Sequence, residues 1–120
     1  MKKIKVVCFC YEDPQDVLWF TVSVDDNNNI VYSKDLNGPE EIIGEGHVNY
    51  AHEGRGFRFN LYWLDDGIAG LDWTDCDDPA AEINILDRRI ALGEVFNFIE
   101  GGNSSVYRIT DIQQLGSEPA

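Results

Sequence analysis

The sequence predicts a mainly β fold, α+β at most: an antiparallel meander of about six to eight short strands, closed into a small barrel or curled sheet, with one or two short helical turns. Three observations predict it. Apolar and polar residues alternate over short stretches, with the period of a strand. Clusters of turn-forming residues separate those stretches: Asp25-Asp26-Asn27-Asn28-Asn29, Asp65-Asp66-Gly67 and Gly101-Gly102-Asn103. Little of the chain reads as helix, and no internal repeat or linker suggests a second domain.

Residues 3–11 read as the first strand. Val17 to Val24 come next, with Leu18, Phe20, Val22 and Val24 on one face. Asn and Asp tolerate left-handed backbone, so residues 25–29 turn the chain. Ile30 to Lys34 then return as the second arm of a hairpin. Residues 35–56 are the least regular. Pro39 followed by Glu40-Glu41-Ile42-Ile43 predicts one helical turn, with acids near the positive end of its dipole. In Gly56 to Leu64, Phe57, Phe59, Leu61 and Trp63 alternate with more polar neighbours, and Asp65-Asp66-Gly67 leads to a partner arm, Ile68 to Trp73. Asp78 as N-cap and Pro79 at the first position predict a helix start before Asp87. Arg89 to Ile99 is extended, and Val106 to Ile112 comes after the Gly101-Gly102 turn. Residues 1–120 form a single domain whose last five residues, 116–120, make a loose tail.

Charge narrows the function. Twenty-two acids oppose nine Lys and Arg, for a net −13. Binding nucleic acid replaces counterions with cations, which are scarce here, so nucleic acid is not an expected partner. No run approaches the ~20 apolar residues of a membrane span. The apolar start Val6 to Cys10 falls short of the ~7–15 residues of a secretory core. The expected compartment is the cytoplasm. Cys8 and Cys10 share a strand face and read as buried, reduced thiols. Cys76 lies between Asp75 and Asp77, where negative charge disfavours the reactive thiolate.

Catalytic and metal chemistry finds little purchase. His47 and His52 with Cys8 and Cys10 compose a zinc set, but the Cys pair is too tightly spaced. The histidines read as solvent-facing loop residues. Asp25 to Asn29 lacks the Gly and Glu of a calcium loop. Asp72, Asp75, Asp77 and Asp78 offer at most a weak divalent site. No Gly-x-Ser-x-Gly, P-loop or GxGxxG occurs. The chain is therefore read as a non-enzyme, with no catalytic residue, metal or cofactor assigned. Two alternatives stand beside this. One is a carbohydrate or small-ligand binding β domain, with Trp73 and Trp19 stacking on sugar rings. The other is a metal-dependent hydrolase.

The acids cluster. From Asp65 to Asp78 there are six Asp and no Lys or Arg. An exposed pair 8 Å apart costs about 0.5 kcal/mol in water before screening, so a binding use offsets a folding cost. Tyr62, Trp63 and Trp73 share the region. Acids at a rim steer a basic partner and aromatics supply central binding energy. The candidate partner-binding residues are Asp65, Asp66, Asp72, Trp73, Asp75, Asp77 and Asp78.

With its size, acidity, Asp-rich loops and closing run Ile90-x-x-Gly93-Glu94-x-Phe96, a Gly turn, then Tyr107-x-Ile109-x-x-Ile112, the chain resembles the small acidic immunity proteins of bacterial contact-dependent inhibition and related polymorphic toxin systems. The resemblance implies a cytoplasmic antidote that binds and neutralises a cognate basic toxin, often a nuclease, by covering its active site or substrate groove.

Overall fold

A computed structural model of the chain describes residues 2–32, 42–50, 54–74 and 81–117. These residues carry eight strands: β1 (Lys2–Cys10), β2 (Val17–Val24), β3 (Ile42–Tyr50), β4 (Arg55–Asp65), β5 (Ile68–Trp73), β6 (Ala81–Ile83), β7 (Val95–Glu100) and β8 (Asn103–Ser117). Each pairs antiparallel with the next, and β8 pairs back onto β1, so the meander closes into a barrel with no free edge. No helix occurs among the described residues.

Alternation builds the barrel. Ile4, Val6, Cys8 and Cys10 of β1 point inward, as do Leu18, Phe20, Val22 and Val24 of β2. They meet Phe59, Leu61, Leu71, Trp73, Phe96, Phe98 and Tyr107 in one core. Outward positions of β1 to β6 carry Lys3, Lys5, Thr21, Glu45, Arg58, Asn60, Asp72 and Glu82. The interior is filled with apolar side chains, unlike the polar lumen of a membrane-spanning barrel. Among the described residues no helix is long and apolar enough to cross a membrane.

The turns match their residues. Asp25 Oδ1 accepts hydrogen bonds from the Asn27 and Asn29 amides at 2.9 and 3.0 Å, and Asn28 takes φ 62°. Gly101 and Gly102, at φ 56° and 82°, supply the two left-handed residues of a tight hairpin.

Three expectations are corrected. Ile30 and Val31 reach β2 through one bridge to Val24 and a 2.9 Å bond from Val31 N to the Ser23 carbonyl, but the strand paired along β2 is β3. Ile42 and Ile43 begin that strand, not a helical turn: Ile42 pairs with Tyr62 of β4, and a register shift at Ile43 leads into the regular pairing from Gly44. Ala81 and Glu82 are likewise strand: Ala81 pairs with Leu71 and is fully buried, so filling the barrel wall overrides the helix-start signal. The remainder of both predicted turns, residues 39–41 and 78–80, lies outside the described residues. Of the expected tail, Gly116 and Ser117 still pair with Lys3 and Lys2 as the end of β8, and residues 118–120 lie outside the described residues.

Up-and-down connectivity sorts the connections by end. The β1–β2, β3–β4, β5–β6 and β7–β8 connections share one end, here the upper. The β2–β3, β4–β5 and β6–β7 connections share the lower end. Ile30, Ile85, Leu86 and Ile90 are buried there and close the barrel.

Candidate acidic interface at the lower end

Three connections are laced together at the lower end. The Leu86 amide donates to the Gly67 carbonyl at 3.1 Å, joining the β6–β7 connection to the β4–β5 turn. The Ile90 amide donates to the Asn28 carbonyl at 2.8 Å, and Asn29 and Arg89 form a bridge, so the same connection also grips the 25–29 turn. Gly67 is the tight point. Its φ of 75° needs a residue without Cβ, and a Cβ there would come within 2.9 Å of Asp87 Oδ2.

This lacing gathers Asp25, Asp26, Asp65, Asp66 and Asp87 on one end, all but Asp25 exposed. Asp65 Oδ1 accepts from the Asp66 amide at 2.8 Å, which fixes one carboxylate of the pair. Arg88 is drawn inward: its Nε donates to the Asn84 carbonyl at 2.9 Å and its Nη1 to Glu94 Oε1 at 3.2 Å. Among the described residues Arg89 of these connections and Lys2, opposite Val24 at the start of β1, are the other cations at this end, and the five aspartates outnumber them, so the end is net negative. Two apolar side chains border the acids. Leu64 sits at a register shift beside Asp65, and Ile42 opposes Tyr62 two residues away on the neighbouring strand; both are exposed.

The described aspartates of 65–78, Asp65, Asp66 and Asp72, do not make one patch. Asp65 and Asp66 sit at the lower end. Asp72 is exposed on the outer wall, paired with Asn60, and at ~3.3 Å per residue it stands about 13 Å up the strand from Ile68, the residue opposite Asp65. Asp75, Asp77 and Asp78 lie outside the described residues, in the connection that leaves the opposite end of β5. Trp73 was expected at the surface and belongs to the core. It is 8% exposed, with ring centroids 5.9, 5.8 and 6.5 Å from Phe57, Phe59 and Phe98. Adjacent strand residues face opposite sides, so an outward Asp72 requires an inward Trp73.

That burial also removes the aromatic pair a sugar site needs. Trp19 remains on the outer wall, but Lys5 Nζ stands 4.6 Å from its ring centroid and His47 stacks beside it at 6.3 Å. A groove of about 360 Å³ adjoins it, lined by Trp19, Glu45, Arg58, Asn60 and Thr74. His47 is a half-buried strand residue lying over Gly56, correcting the expected loop position; His52 lies outside the described residues.

Cys8 and Cys10 are buried free thiols. Burial pushes both thiols up, Cys8 strongly; Glu12 is held below the usual carboxylate range by its own backbone amide first, then by the Cys10 thiol, whose Sγ donates to Glu12 Oε2 at 3.3 Å, and by the Val106 amide. Burial raises the Tyr62 phenol too, aided by Asp72 and Glu82. Among the described residues no three His, Cys, Asp or Glu converge to hold a metal.

Sequence reasoning missed Asp25, Asp26 and Asp87 as neighbours of Asp65 and Asp66. The signal was present: in a meander every second connection lies at the same end, so counting strands assigns each acidic turn to its end. No family model, curated protein or solved structure matches the chain.

Proposed function

We propose that this chain is a stoichiometric binding protein of the antidote kind, which neutralises a basic protein toxin by seating its acidic lower end in the toxin's cationic groove. The observation that carries the reading is the convergence of Asp25, Asp26, Asp65, Asp66 and Asp87 from three connections held together by backbone hydrogen bonds. A rigid acidic surface presents its carboxylates without an ordering cost, and it mimics the phosphates that a nuclease groove accepts. The acids steer the encounter; Leu64 and Ile42 beside them supply apolar contact that excludes water. The proposed partner is a toxin of the nuclease class and the proposed compartment the cytoplasm. The site replaces Asp72 and Trp73 with Asp25, Asp26 and Asp87.

The test uses the product of the adjacent reading frame, if it ends in a basic domain, expressed in cells with and without this chain. Wild type should restore growth and form a 1:1 complex. The Asp65→Lys, Asp66→Lys, Asp87→Lys triple variant should melt with a cooperative transition yet fail to protect. Equal protection by the folded triple variant overturns the site, and a neighbourhood of metabolic genes alone overturns the antidote reading.

A further inference from the structure

The acidic end is not the only surface built for contact. On the wall formed by β7, β8, β1 and β2, outward positions that elsewhere carry polar residues carry apolar ones. Val7 and Phe9 of β1, Val17 of β2, Val95 of β7 and Val106 of β8 stand together with Tyr11, which continues β1. Register places them side by side: Phe9 lies between Val17 and Arg108, Arg108 lies between Phe9 and Val95, and the Tyr11 amide donates to the Val106 carbonyl at 2.7 Å. Phe9, Tyr11 and Val95 are 39%, 70% and 41% exposed. Four strands at ~4.8 Å and four residues at ~3.3 Å give about 14 by 13 Å of sheet. At about 180 Å² with Arg108 in its middle the patch is no larger than the apolar areas ordinary monomers expose, so it is the arrangement of charge around it that argues for a contact.

Its charges indicate the occupant. Arg108 stands inside the patch with its guanidinium reaching toward Gly93, and among the described residues it meets no carboxylate. Asp111 lies on the same strand, opposite Val7, and accepts only from Gln113, two residues away, at 2.8 Å. A two-fold interface uses the same patch twice, so it must be complementary to itself. The lower end carries an excess of acids and fails that condition. This wall satisfies it: an apolar centre, with one unpaired cation and one anion offset along a single strand.

We infer that the β7–β8–β1–β2 wall is a self-association surface on which a second copy of this chain packs about a two-fold axis, Arg108 of each copy meeting Asp111 of the other. The dimer leaves the lower end open, since the patch lies on the side of the barrel, so each copy keeps its acidic surface. Two molecules of net −13 repel at low salt. Screening that repulsion strengthens the dimer, the opposite of the salt response expected for a basic partner.

Sedimentation equilibrium of the full chain tests this, between 50 and 300 mM salt and up to about 500 µM protein. Wild type should dimerise, more tightly at the higher salt. Phe9→Asp and Tyr11→Ala should each weaken the dimer about tenfold or more, a 1.4 kcal/mol effect per decade. Arg108→Glu and Asp111→Arg should each weaken it similarly, and the double swap should recover to within about threefold of wild type. Tyr11, the most exposed of the set, keeps the test valid if Phe9→Asp fails to fold. A monomer throughout, a dimer indifferent to Tyr11→Ala, or a double swap no better than its singles overturns the inference.

Discussion

Tyr62 lies on the outside of the barrel yet is only 6% exposed, and Gly70 is the reason. The two residues are direct cross-strand partners, and a Cβ on Gly70 would fall inside the Tyr62 ring. The ring therefore lies flat in the space that a side chain would fill, covering the backbone of β5. Gly70→Ala must lift it. An aromatic side chain buries about 150–250 Å², worth about 4–6 kcal/mol at 25 cal/mol per Å². Lifting half of that into water costs about 2–3 kcal/mol. Replacing a strand glycine returns about 0.5–1 kcal/mol of chain entropy. The net expected loss is about 1–2.5 kcal/mol. With Tyr62→Ala in place there is no ring to displace, and Gly70→Ala should then be neutral or stabilise by up to about 1 kcal/mol. The coupling read from a double-mutant cycle is thus about 2–3 kcal/mol. Urea titrations followed by tryptophan fluorescence measure all four corners. An equal penalty for Gly70→Ala in both backgrounds refutes the argument.

Burial raises the Tyr62 and Tyr107 phenols and the Cys8 and Cys10 thiols, so the unfolded chain releases those protons first. Stability is therefore full below the unfolded pKa values of about 9 and 10 and falls as pH rises through them and beyond; a urea midpoint unchanged between pH 7 and about 10.5 contradicts this. Cys8 and Cys10 should resist alkylation in the native state and react in urea, as peptide mass spectrometry would read directly. The Asn84 side chain acts as a strand extension, accepting from the Asn97 amide at 2.6 Å. Asn84→Ala should cost about 1 kcal/mol and speed exchange of the Asn97 amide, whereas Asn84→Asp, which keeps the acceptor, should protect it better.

The strands were legible wherever alternation was long enough to choose a face. Leu18 to Val24 and Phe57 to Leu61 belong to this class, and their turns were named by residues that tolerate positive φ, Asn28, Gly67 and Gly101 among them. Local helix signals misled at Ile42-Ile43 and at Ala81-Glu82, because closing a barrel demands strand there and burial outweighs a cap worth about 1 kcal/mol. The site was legible only in part. Asp65 and Asp66 were read correctly as exposed, but proximity in sequence stood in for proximity in space. A six-residue strand carries the chain from one end of the barrel toward the other, separating Asp66 from Asp72 and Trp73. The true neighbours, Asp25, Asp26 and Asp87, are distant in sequence and close only because alternate connections share an end.

The association rate of this chain with the basic domain of its proposed toxin, measured by stopped flow from 50 to 300 mM salt, bears most directly on the acidic end. Wild type should bind fast at low salt and lose rate steeply as salt rises. Asp65→Asn, Asp66→Asn, Asp87→Asn together should bind more slowly at low salt and with a shallower slope, while Asp72→Asn, well removed from that end, should change the slope least. Identical slopes for wild type and the triple variant, or a larger effect from Asp72→Asn, would contradict the account.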